Sequence, residues 1–216
     1  MDYTKAAKKI KKDSNKLYDI LKIIIVVICL STTLSMFLPL FDIYGTFTNG
    51  FINLMKNAFP EFDFTNIKGL AITTYGYEFA FGVNEVSLSQ PYRLVKDEFL
   101  IFCYMLPLAI GLLLIPFNKL DNNKVYSIIK YCIMGTLMIT FGILFMVYVD
   151  GATESLRNML VGTSTEYGYA IYASAEIKKV TLPILFQLIY IFGGCLCFFL
   201  ATNVNKMVEK NKKRGN

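Results

Sequence analysis

Residues 23–41 read IIIVVICLSTTLSMFLPLF, nineteen consecutive positions without a charge, with Lys22 directly before them. A bilayer core of about 30 Å takes roughly 20 apolar residues as a helix. The stretch therefore reads as a transmembrane helix, and the rest of the chain is read outward from it. Three more charge-free stretches of similar length follow: Phe99–Asn118, Tyr131–Val149 and Val180–Asn205. The expected fold is an all-α transmembrane four-helix bundle with a small extracellular α/β cap built from the two outer loops. Its segments are a basic cytoplasmic N-terminal segment (1–22), the first span (23–41), a folded outer loop (42–98), the second span (99–118), a cytoplasmic hairpin (119–130), the third span (131–149), a second outer loop (150–179), the fourth span (180–205) and a basic cytoplasmic tail (206–216).

Composition agrees. Hydrophobic residues make up 55% of the chain and lie in blocks, which is too apolar for an ordinary soluble domain. Histidine and tryptophan are both absent. Without histidine the chain lacks the commonest general base and the commonest metal ligand. Without tryptophan, tyrosine must supply the interfacial aromatic belt.

Lysine and arginine fix the expected orientation, because basic residues are retained on the cytoplasmic side. The N-terminal segment, the middle hairpin and the tail together hold fifteen basic and five acidic residues. The two remaining connections hold seven basic and eleven acidic ones. Both termini are therefore expected in the cytoplasm of a multi-pass cell-membrane protein. The first span is expected to remain uncleaved: its apolar run is long for a signal peptide and no A-x-A site follows it. A lipoprotein reading of Cys29 fails because Ile28 stands where a small residue is needed.

The five cysteines, Cys29, Cys103, Cys132, Cys195 and Cys197, all fall in apolar runs. A disulfide framework would place them in loops, so they read as small residues in helix packing. The lysine clusters at both ends attract anionic lipid or only set orientation, and nothing in them points to nucleic acid.

The loop 42–98 is too long for a bare connector. Phe51, Leu54, Met55, Ala58 and Phe59 follow helical spacing after a candidate cap at Asn49, and Pro60 stops them. Farther on, Tyr75, Tyr77, Phe79 and Phe81 alternate with Thr74, Gly76, Glu78 and Ala80, which predicts a strand with one aromatic face and a turn at Gly82. In the second loop, Leu156, Met159 and Leu160 form a short helical stripe ending at Gly162. Thr165-Glu166-Tyr167-Gly168-Tyr169 echoes Thr73-Thr74-Tyr75-Gly76-Tyr77, either through duplication of a half or by chance in a tyrosine-rich chain. Residues 170–179 read equally well as helix leading into the fourth span.

Helices in lipid associate through small residues and interhelical hydrogen bonds. Gly193, Cys197 and Ala201 make a small-xxx-small ladder in the fourth span, and Gly135 and Gly142 offer close approach in the third. Pro107 is expected to kink the second span. No Asp, Glu, Lys or Arg lies deep in any span, whereas pumps and proton-coupled transporters place such groups there. Gln187 is the one large polar side chain at depth. No hydrolase, zincin, P-loop or dinucleotide motif occurs, and the outer acids Glu61, Asp63, Glu78 and Glu85 match no calcium loop. No enzymatic activity, cofactor or metal is expected.

The runs FLPLFDIYG (37–45), YGYEFAFG (75–82), FLIFCYMLPLAIGLLLIPF (99–117) and EYGYAIYASAEI (166–177) resemble a group of uncharacterised bacterial four-span membrane proteins. That resemblance implies a bacterial cell-membrane protein and brings no activity or site residues with it. A long, sheet-forming first loop and a shorter second one are also similar to claudin-like tetraspan architecture. The claudin W–GLW–C–C motif has no counterpart here. The expected function is a non-enzymatic accessory, scaffold or interaction component. Its expected partners are membrane lipid and a protein partner or further copies of itself, with Tyr75, Tyr77, Phe79 and Phe81 as the contact surface. The alternative is a small transporter or channel with a hydroxyl-lined path along Ser31–Ser35, Thr136–Thr140 and Gln187.

Overall fold

Pro39 sets the first element boundary. Proline lacks the N–H that a helix needs and pushes the residue before it out of the helical region. Leu38 is accordingly extended, with φ −88° and ψ 153°. In the computed structural model, which describes residues 3–63, 69–83, 94–115, 123–162 and 170–204, helix α1 covers Tyr3–Leu34 and a single 3-10 turn covers Ser35–Phe37. The sequence reading carries the first span to Phe41. In the structure, Pro39–Phe47 is instead a strand, β1. Its Ile43, Tyr44, Thr46 and Phe47 are the β-branched and aromatic types that suit a pleated surface.

Helix α2 spans Asn49–Ala58 and β2 spans Gly69–Tyr75. Helix α3 (Gly76–Phe81), α4 (Glu98–Leu114), α5 (Lys124–Val161), strand β3 (Tyr172–Lys179) and α6 (Thr181–Thr202) complete the order among the described residues. The segment Leu17–Phe37, α5 and α6 are each long and apolar enough to cross a membrane, and α4 is a shorter apolar helix. The chain is a membrane protein.

The chain divides into two compact units. One is made of Met1–Thr33, Cys103–Ile143 and Phe186–Asn216, the other of Leu34–Phe102 and Leu144–Leu185. In the first, α1, α4, α5 and α6 share one apolar core that includes Ile25, Cys29, Ile110, Leu114, Tyr131, Met138, Tyr190, Cys197 and Leu200. The outward faces are apolar too: Ile23, Val27, Ile133 and Phe192 are each more than half exposed. Water would not tolerate that surface, and hydrocarbon does.

In the second unit, β1 lies centrally in an antiparallel sheet of order β2-β1-β3. Ile43 faces Ile72 on one side and Ile177 on the other. Strands from both long connections therefore join in one sheet. Residues 172–179 form its edge, so the helical alternative for 170–179 is not adopted. Leu40, Phe41, Ile43 and Ile72 are buried.

Two further boundaries differ from the sequence reading. The third span and the stripe Leu156–Leu160 belong to a single helix of 38 residues, about 57 Å at 1.5 Å per residue. Gly151 does not interrupt it, and the Thr153 hydroxyl donates back to Val149 O (2.9 Å) within the helix. Helix α2 is capped by Thr48 rather than Asn49. The Thr48 hydroxyl accepts from Phe51 N–H at 3.2 Å and also donates to Ala170 O. Phe51 and Met55 are buried while Leu54 and Ala58 are exposed, a narrower stripe than the spacing suggested. The sequence echo at 165–169 and the acid Glu85 lie outside the described residues.

Candidate functional site

The aromatic stretch 75–81 is where the structure most changes the reading. The alternation predicts a strand, but β2 ends at Tyr75 and Gly76–Phe81 is helix. Glu78 supplies the reason: its Oε2 accepts from Tyr75 N–H at 2.8 Å, the hydrogen bond that closes a helix N-terminus. Gly82 ends the helix with φ +78°, a conformation that disfavours any side chain. A period of two thus becomes a helical period. Gly76, Phe79 and Ala80 form the buried face, and Tyr77 and Phe81, four apart, point outward.

The four aromatics consequently do not share one face. Phe79 is 8% exposed and packs edge-on against Phe41, with ring centroids 5.1 Å apart. It belongs to the core. Tyr77 is 38% and Phe81 50% exposed. Tyr75 stacks on Tyr77 (5.8 Å), and Phe37, 55% exposed, meets Tyr77 at 6.0 Å. Phe37 carries no sequence signal of its own, because it lies inside the charge-free run 23–41. Partial burial, reinforced by the charge of Glu78 and the hydrogen bond from Tyr77 O–H to Glu78 Oε1 (3.4 Å), holds the Tyr77 hydroxyl above its ordinary pKa. Tyr77 therefore stays neutral throughout the physiological range; Phe37, Tyr75 and Tyr77 make one aromatic cluster with the Glu78 carboxylate at the Tyr77 hydroxyl, and Phe81 is exposed on the same short helix.

The same unit carries an open cleft of about 590 Å³ between the β1–β3 surface and the far end of α5. Tyr44, Thr46, Ser174, Glu176 and Arg157 line it, with the Thr46 and Ser174 hydroxyls 3.1 Å apart. Lys178 Nζ lies 5.3 Å from the Tyr44 ring centroid. The cleft is open, and its lining mixes polar with apolar groups and carries both signs of charge. Elsewhere in the unit, Asp97 caps α4 through Leu100 N–H (2.9 Å) and accepts from the Tyr148 hydroxyl; Lys179 pairs with Asp150.

In the helical unit, glycines stand where α5 and α6 come closest. A Cβ on Gly135 would lie 2.9 Å from Gly194 O, and one on Gly142 would lie 2.5 Å from the Ile191 side chain. Gly193 faces Met138 and Ile28. Cys197 is buried with its Sγ 3.8 Å from Met138 Sδ, and Ala201 is buried as well. Cys29 and Cys103 are buried, whereas Cys195 is exposed and takes no part in helix packing.

Of the residues of the hydroxyl-lined path, Thr32 reaches Phe186 O, the neighbour of Gln187, at 3.5 Å. Thr136 and Thr140 lie on the exposed face of α5, while Thr32, Thr33 and Gln187 are buried. Ser31, Thr32 and Thr33 donate to the carbonyls of Val27, Ile28 and Cys29, one turn back in their own helix. Gln187 is 1% exposed, and its Nε2 has no hydrogen-bond partner among the described residues. No group of three or more Cys, Asp or Glu suited to a metal ion occurs among the described residues. No family model, curated protein or solved structure matches the chain.

Proposed function

We propose that this chain is a non-enzymatic component of the bacterial cell membrane that holds a protein partner, or a second copy of itself, through its sheet-bearing unit. In this reading α4 is the fourth span, both termini lie in the cytoplasm, and the sheet unit is an outer cap. The balance of basic and acidic residues between the two sets of connections supports the orientation. The observation that carries the proposal is the ring cluster of Phe37, Tyr75 and Tyr77 together with the exposed Phe81, where Tyr77 and Phe81 are turned away from the unit's own core. Aromatic residues with an apolar body and a polar tip are the side chains most used at protein contacts. The cleft beside Arg157 and Glu176 adds polar contacts on the same unit.

The test is purification of the full chain from its native membrane in mild detergent, comparing the parent with a Tyr77→Ser, Phe81→Ser double variant. Loss of a stoichiometric partner, or a fall in assembly mass to a single chain, is expected. An unchanged partner set and mass would remove the proposal. A transport role is the second reading, and its one supporting observation is the buried Gln187 amide with its Nε2 lacking a partner among the described residues. Flux into proteoliposomes that is unaltered by Gln187→Leu would dismiss that lining.

A further inference from the structure

Within the helical unit, α4 and α5 leave a groove of about 280 Å³ between them. On α4 it is lined by Leu106, Ala109, Ile110 and Leu113, one helical stripe at spacing i, i+3, i+4, i+7. On α5 the matching stripe runs Tyr126, Ile129, Lys130, Ile133, Met134, Leu137. Along α5 this is about 16 Å from end to end at 1.5 Å per residue, much of the length of an extended acyl chain. Every lining side chain but two is a plain hydrocarbon or thioether. The exceptions, Tyr126 and Lys130, lie together at one end of the α5 stripe.

That end coincides with the membrane boundary. Lys130 is the last charge before the charge-free stretch that begins at Tyr131, and Lys22 is the last before the one that begins at Ile23. The structure brings these two lysines to one ring: Nζ of Lys130 lies 5.7 Å and Nζ of Lys22 5.9 Å from the centroid of Tyr131. Tyr131 itself is fully buried. Two ammonium groups from different helices thus each lie within 6 Å of the centroid of one ring, and one of them also lines the apolar groove. An apolar slot with a lysine ammonium at its end is complementary to an amphiphile with a negative head.

We propose that this groove is a binding site for one anionic phospholipid. One acyl chain lies between Leu106, Ala109 and Leu113 on one side and Ile129, Ile133 and Leu137 on the other. Its phosphate is held by the Lys130 ammonium, with Lys22 reinforcing the field and the Tyr126 hydroxyl within the same polar end. The site differs from general attraction of a basic tail to a membrane, because it requires the charge and the slot together.

The experiment is native mass spectrometry of the full-length protein released from nanodiscs containing equal parts phosphatidylglycerol and phosphatidylcholine. The parent should retain phosphatidylglycerol over phosphatidylcholine. Lys130→Gln should reduce that preference about fivefold, the factor that one lysine near an anionic surface is worth. Lys124→Gln removes the same charge outside the groove and should leave the preference within error of the parent. Ala109→Trp fills the slot from an exposed position and should remove retained lipid of both kinds. Equal losses from Lys130→Gln and Lys124→Gln would overturn the site in favour of diffuse surface attraction. Undiminished lipid retention by Ala109→Trp, with parental helicity by circular dichroism, would overturn it as well.

Discussion

The two units of this molecule hold themselves together by opposite means. In the helical unit the closest contacts are made where side chains are missing: Gly135 against Gly194, Gly142 against Ile191, Gly193 against Met138. In the sheet unit they are made by the largest side chains available, Phe41 against Phe79, Phe47 against both Phe51 and Tyr172. Lipid tails are as apolar as leucine, so burying a large side chain between helices gains little there, and close packing with matched shape decides association. In a small sheet, whose core is thin, aromatic rings hide the most apolar surface per residue. Size is an asset in the sheet unit and an obstruction at the α5–α6 contact, although the helical unit buries Tyr131 and Tyr190 elsewhere in its core.

The largest expected effect tests the aromatic side of this contrast. Phe79→Ala should destabilise the sheet unit by about 3–5 kcal/mol, the cost of a cavity left by a buried ring. Hydrogen exchange should show the loss confined to β1, β2 and α3; protection that is unchanged there would mean Phe79 is not a core residue. On the glycine side, Gly135→Val sets a branched side chain against the Gly194 carbonyl, a backbone group that cannot rotate away. Overpacking of this kind costs about 1–3 kcal/mol. Detergent-solubilised protein should unfold at lower temperature, and a variant as stable as the parent would break the comparison at its other end.

Smaller effects sharpen it. Thr48→Ala should cost about 1 kcal/mol, because it removes the cap of α2 and the bond to Ala170 O together. Thermal denaturation measures this, and a loss much above that figure would give the Thr48–Ala170 link a structural weight beyond capping. Tyr77→Ser should change stability by less than about 0.5 kcal/mol, as expected of a side chain the core does not use. A large loss would place Tyr77 with Phe79 as a structural ring. Tyr172→Phe should be close to neutral at pH 7, since the buried hydroxyl has no hydrogen-bond partner among the described residues. Burial raises the pKa of Tyr172, so its contribution is fully present below the ordinary tyrosine value of 10 and is lost as pH rises beyond it. The Phe variant should therefore outlast the parent in alkaline titration, and equal alkaline loss in both would assign that loss to another group.

Much of the fold was legible without coordinates because membrane insertion is read from uninterrupted apolar length. Ile23–Phe41, Tyr131–Val149 and Val180–Asn205 each overlap a helix long enough to cross, and Phe99–Asn118 overlaps the shorter α4. Their ends are legible only where a local rule applies, as Pro39 does at the start of β1. The candidate surface was harder. Tyr75 to Phe81 satisfies both a period of two and a helical period, and seven residues are too few to separate the periods by pattern alone. Phe37 lay hidden in an apolar run, and the groove between α4 and α5 joins residues of two helices that no spacing rule connects.

The sequence by itself determined that this chain enters a membrane, because hydrocarbon demands long helices and excludes charge over a local window that can be counted residue by residue. It also determined which connections carry the basic residues. Tertiary structure decided the rest. It turned Pro39–Phe47 into the central strand of a sheet completed by residues more than 120 positions away, through pairs such as Gly45 with Ala175. It buried Phe79 while leaving Tyr77 and Phe81 outside, and it brought Lys22 and Lys130 to one ring. The physical reason is that burial in a sheet and complementarity at a groove depend on which distant residues arrive as partners, and no local window of sequence contains them.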